Sequence, residues 1–131
     1  MINKKMSFLL AGFLALIMSF APIAETYAAG WGPVWISEGG HWGSSECTTS
    51  YPRIKFTTYM DAGQGLVSVQ RLSGSTWTTV SGPHLLDVPD LNTHYLSITT
   101  SVASSSTKYR VYVEAPRERS HVTKVTCQGV N

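Results

Sequence analysis

From Tyr51 onward, apolar and polar side chains alternate in short runs divided by Gly, Ser, Pro and Asp. Alternation with period two marks a strand that buries one face, and nothing after residue 29 repeats at the 3.6-residue period of a helix. The first clear strand opens at Tyr51-Pro52. It sets Ile54, Phe56, Thr58 and Met60 on one face, with Arg53, Lys55, Thr57 and Tyr59 on the other. The cluster Asp61-Ala-Gly-Gln-Gly65 reads as a turn, followed by a strand over 66–72, a turn over 73–76 and a strand over 77–80. With a four-residue hairpin loop, Leu72 faces Trp77 and Val69 faces Val80. Val67, Val69 and Val80 then share the core side and Trp77 takes the other.

Further along, residues 84–88 predict a short strand closed by Pro89-Asp90, and residues 94–102 direct Leu96, Ile98, Thr100 and Val102 to one side. Over 107–114, Tyr109, Val111 and Val113 alternate with Lys108, Arg110, Tyr112 and Glu114. A last strand over 121–127 turns Thr123, Val125 and Cys127 inward. If the last two strands pair, setting Tyr112 opposite Lys124 avoids the like-charge pair of Arg110 with Lys124. About seven closely spaced strands and no helix predict an all-β fold, an antiparallel two-sheet sandwich, with an open barrel as the competing architecture. The stretches VSVQRLSGSTWTTV and STKYRVYVEA resemble strands of bacterial fibronectin III or immunoglobulin-like modules. That resemblance implies the sandwich at fold level and no function.

Upstream the composition changes twice. Residues 1–28 read as a signal peptide: Lys4 and Lys5 precede an apolar stretch over 8–20, Pro22 ends it, and Thr26 and Ala28 are small residues before the cleavage point. The stretch is too short to span a bilayer, so the expectation is a secreted, extracellular protein that begins at Ala29 or Gly30 and has no transmembrane span. Residues 29–50 form a Trp- and Gly-rich arm, and 51–131 the β core. Two cysteines, Cys47 and Cys127, fall in the exported part and are expected to form a disulfide.

From residue 29 onward there are eight Lys/Arg against seven Asp/Glu, a balance of +1. So weak a charge argues against nucleic acid or another polyanion held by bulk electrostatics. Abundant Ser, Thr and β-branched residues exclude a helical bundle and a dinucleotide-binding α/β unit.

No recognised nucleophile, phosphate-loop or zinc motif occurs, so no enzyme and no cofactor are expected. His41, His84, His94 and His121 are too far apart in sequence for any strand or turn to pre-form a chelate. Asp87, Asp90 and Asn92, around Pro89, suit either a calcium ion or ordinary turn chemistry. The aromatic residues say more. Trp31, Trp35, Trp42 and Trp77, with Tyr59 and Tyr112 on outer faces, offer flat surfaces of the kind that hold sugar rings or a partner protein. Alternatively the arm folds back as an edge strand and buries its indoles. Lys108, Arg110 and Lys124 are expected beside Tyr112, a patch suited to an anionic wall polymer or membrane headgroups, although Glu114 and Glu118 interrupt it and favour an ordinary solvated strand face. The leading reading is a non-catalytic module that recognises a polysaccharide or cell-wall surface. The alternative is a secreted antagonist, an antibacterial protein or a protein inhibitor.

Overall fold

The computed structural model describes residues 30–131; the expected signal peptide lies outside them. Seven strands follow in order: β1 (Val34–Ile36), β2 (His41–Gly43), β3 (Arg53–Ser73), β4 (Thr76–Val88), β5 (His94–Ser101), β6 (Tyr109–Glu114) and β7 (Ser120–Val130). All are antiparallel to their partners and hydrogen-bonded into one network. The fold is all-β, as the alternation indicates. Among the described residues no helix is long and apolar enough to cross a membrane.

Its organising element is β3. The first part, Arg53 to Ala62, lies between β5 and β7, and β1 extends that half from β7. The second part, Gly63 to Ser73, lies between β4 and β6, and β2 extends that half from β6. One long strand therefore belongs to two four-stranded halves, which curl over a common core. From the first half come Ile54, Phe56, Met60, Ile98 and Val122; from the second, Val67, Val69, Tyr109, Val111 and Val113. Because β3 runs through both halves and the first half curls as a half-barrel, the architecture is not clearly the two-sheet sandwich that the strand pattern and the resemblance predict.

The continuity of β3 overturns the expected turn at 61–65. Gly63 has φ +82°, and a Cβ there would collide with the backbone oxygen of Arg119 and with Ser120. Gly63 thus lets the strand bend closely past the start of β7 without reversing, Gly65 leaves room for Met60 and Val113, and register shifts around Met60 mark the corner. Asp61 continues the strand and pairs with His121 across it. The same irregularity explains β7. Val122 and Val125 both face the core although only two residues, Thr123 and Lys124, lie between them, and the pure alternation expected through Thr123 does not survive the bulge.

In the hairpin, Leu72 does face Trp77, but Val69 lies opposite Ser81, because a shift after Gln70 displaces the partner by one. The two strands expected at 77–80 and 84–88 are one, β4. The expected pairing of the last two strands is also replaced: β6 pairs with β3 and β2, and β7 with β3 and β1. Lys124 consequently lies opposite Tyr59, with its ammonium 4.6 Å from that ring, and not opposite Tyr112.

The Trp-rich arm supplies both outer strands, β1 and β2, and so covers edges that would otherwise be open. Cys47 lies just beyond β2, bridged to Tyr109 of β6 through paired backbone hydrogen bonds. Its disulfide to Cys127 of β7 spans 80 residues of sequence and ties one half of the curled sheet to the other.

Candidate functional site

The outer face of the second half is built by alternation. On β3, Val67 and Val69 point into the core, so Ser68 and Gln70 point out; on β6, Val111 and Val113 point in, so Arg110, Tyr112 and Glu114 point out. Register then aligns the rows. Gln70 lies beside Arg110 and Thr79, Ser68 beside Tyr112, Tyr112 beside Gly43, and Glu114 beside His41. Trp77 closes the β4 end. These residues, with Pro83, line an open cleft of about 470 Å³, within the roughly 300–1,000 Å³ common for small-ligand sites.

Arg110 is at its centre. Its Nε–H donates to Gln70 Oε1 at 2.8 Å. Its guanidinium carbon lies 4.3 Å from the centre of the Trp77 ring and 5.7 Å from that of Tyr112. Beyond Tyr112, the His41 ring approaches at 5.5 Å, tilted by 34°. Gly43 leaves the space this requires, since a Cβ there would come within 2.7 Å of an Arg110 terminal nitrogen. Burial lowers the Arg110 pKa from its ordinary value, with Tyr112 and Glu46 acting in the opposite sense; a guanidinium so placed stays charged. Gln70 and Ser68 are 8% and 5% exposed, so the polar side chains at the floor of the cleft are themselves nearly buried.

The other expected binding residues fall elsewhere. Trp42, of β2, points to the opposite side from His41 and Gly43 and is buried in the core, so it offers no stacking face. Trp31 is partly buried against the same core. Trp35 is 50% exposed, but on the first half, stacked on His121 at 4.3 Å with Arg119 at 4.0 Å. Lys108 pairs with Glu46 at 3.3 Å, and Lys124 belongs to β7. The basic patch expected around Tyr112 therefore reduces to Arg110. Reasoning from sequence missed Ser68, Gln70, Thr79, Pro83, His41, Gly43 and Glu114. The alternation put Ser68 and Gln70 on an outer face, but without the neighbouring strands such residues look like any solvated side chain.

The Asp87–Asn92 loop shows turn chemistry. Asp90 Oδ1 accepts from the backbone N–H of Asn92 at 3.1 Å and from His94 Nε2 at 2.7 Å, while Asp87 is an exposed residue of β4 beside Gln64. Among the described residues no group of three or more His, Cys, Asp or Glu side chains could hold a metal ion. The hydrogen bond from His94, then those from Asn92, lower the Asp90 pKa from 3.8 to about 2. The ionised form is thus favoured in the folded state, and its contribution, complete above the unfolded value, is lost as pH falls toward 2. An NMR titration of the Asp90 carboxyl should give a midpoint near 2, which His94→Ala should move up toward 3.8. An unchanged midpoint in the variant would remove His94 as the cause.

No family model matches the chain, and no curated protein matches it. Four solved structures match the chain, among them the following three. One is a family GH115 4-O-methyl-α-glucuronidase with specificity for decorated arabinogalactans, 11% identical over 74% of this chain, TM-score 0.49. This chain spans only 14% of that protein's length. The second is the carbohydrate-binding module TmCBM61, in complex with β-1,4-galactotriose, 13% identical over 73% of this chain and 68% of its own, TM-score 0.45. The third is a family 16 carbohydrate-binding module, 15% identical over 72% and 74%, TM-score 0.41. Likeness at this level establishes neither a shared site nor a shared ligand.

Proposed function

We propose that this protein is an exported, non-catalytic module that binds polysaccharide in the cleft across β4, β3, β6 and β2. The observation that carries the reading is the row Trp77, Arg110, Tyr112 set over the buried amide of Gln70. A sugar ring has apolar C–H faces and a rim of hydroxyls. Aromatic surfaces beside fixed hydrogen-bonding groups match both features, and an open cleft admits a chain that continues past the site. One carboxylate, Glu114, lines the cleft, whereas glycoside hydrolysis ordinarily uses two, which supports binding without cleavage. The sequence over 1–28 supports export, and N-terminal sequencing of protein from culture medium should begin at Ala29 or Gly30; Met1 in a membrane fraction would contradict it.

The test of binding is retention of the secreted protein on cellulose, chitin, peptidoglycan and glucuronoxylan, scored together with killing of live cells. Retention on at least one polymer is expected. Trp77→Ala and Tyr112→Ala should each weaken it by about tenfold, the scale of one aromatic contact. Killing without retention would replace this reading with the antagonist one.

A further inference from the structure

We propose that the cleft selects an acidic saccharide, with Arg110 receiving the carboxylate of a single uronic acid residue; this rests on the saccharide reading above. Among the described residues Arg110 is the one Lys or Arg side chain that lines the cleft. Among the described residues its guanidinium makes one hydrogen bond, through Nε to Gln70, and it takes part in no salt bridge. Glu46, the nearby acid, is engaged by Lys108. The terminal nitrogens are therefore left without a carboxylate, on a side chain that is only partly exposed.

Three neighbours hold that group in place. Gln70 anchors Nε, Trp77 and Tyr112 flank the guanidinium, and Gly43 leaves room for its terminal nitrogens. A planar fork held this way is organised in advance for a bidentate carboxylate, and little side-chain freedom remains to be lost on binding. A neutral sugar would leave this cation, partly withdrawn from water, with no carboxylate on its terminal nitrogens and with Glu46 acting on it only from a distance.

The side of the cleft toward Glu114 limits the number of acids. Glu114 is four residues further along β6 on the same face, beside His41. A second carboxylate on the adjoining sugar would approach Glu114 and be repelled, whereas neutral hydroxyls there can donate to it. The ligand that fits both groups is one uronate next to neutral sugars, not a continuous polyuronate.

The experiment is calorimetric titration of the secreted protein with a xylo-oligosaccharide bearing one glucuronate, the same compound after carboxyl reduction, and an oligogalacturonate. The singly acidic compound should bind about 10- to 100-fold tighter than its reduced form, the scale of a charge-assisted hydrogen-bonded pair, and tighter than the oligogalacturonate. Arg110→Gln should abolish the difference. Arg110→Lys, which keeps the charge and loses the fork, should retain only part of it. Thermal melting of both variants checks that they fold. Equal affinity for the acidic and reduced compounds, or a preference that survives in Arg110→Gln, would overturn the proposal and leave the module reading intact. Tighter binding of the oligogalacturonate would overturn the single-acid limit. Failure of this protein to bind any saccharide, including the polymers above, would remove both readings.

Discussion

Trp42→Ala should cost about 3 to 5 kcal/mol of stability, the range for removing a large aromatic side chain from a packed core. Trp42 is 9% exposed and belongs to the core cluster, although it sits on a three-residue edge strand. Its loss would open the space between β2 and the core and free the arm. The indole nitrogen adds a second, separable effect. It is buried and has no hydrogen-bond partner among the described residues, so the folded state already carries the desolvation cost of an unpaired donor, about 1 to 3 kcal/mol. Trp42→Phe removes that donor while keeping most of the ring, and should fall within about 1 kcal/mol of the parent as the two effects offset. Urea unfolding of both variants measures this. A loss in Trp42→Ala below about 1 kcal/mol would mean that the arm does not pack as described.

Removing the disulfide should have an effect of similar size. Cross-linking residues 80 apart restricts the unfolded chain by about 4.5 kcal/mol on the loop-entropy account, and about 2 to 5 kcal/mol is the usual range for loss of a native bond in a small domain. The position matters as well as the loop length. Cys127 is paired with Phe56 in the first half of the sheet, and Cys47 with Tyr109 in the second. Without the bond, the halves remain joined by the long strand β3 and by core packing. Cys47→Ser and Cys127→Ser should therefore lower Tm by roughly 10 °C or more for a domain near 100 residues, and the double variant should lose no more than either single one, since one bond is removed in each case. Additive losses would show that the cysteines contribute through something other than their bond.

Much of the core was legible because each strand buries one face. The inward sets Ile54-Phe56-Thr58-Met60 and Tyr109-Val111-Val113 follow from alternation alone, and the Leu72–Trp77 pair from the short turn between them. What local pattern could not show was the course of β3. A run of Asp, Ala and Gly has turn composition, and only the closeness of Gly63 to Arg119 and Ser120 reveals that it serves a bend. The partner of β6 was misread for a related reason: neighbours in sequence are often neighbours in space, but here β3 lies between β6 and β7. That error also hid the cleft. Arg110 and Tyr112 were placed on an outer face correctly, yet Gln70 and Gly43, which hold and admit the guanidinium, come from β3 and β2. Trp42 follows the alternative in which the arm folds back as an edge strand and buries its indole; composition alone cannot tell an edge strand's inward indole from its outward one.

The most direct measurement follows the indole N–H resonances of protein labelled with nitrogen-15 in tryptophan, titrated with the glucuronate-bearing xylo-oligosaccharide, a cello-oligosaccharide and a chito-oligosaccharide. With the oligosaccharide that binds, the Trp77 signal should shift progressively to saturation while those of Trp42 and Trp31 stay in place, because Trp77 alone among the indoles lines the cleft. A saturating shift confined to Trp35, on the first half of the sheet, or binding that leaves Trp77 unmoved, would contradict the account.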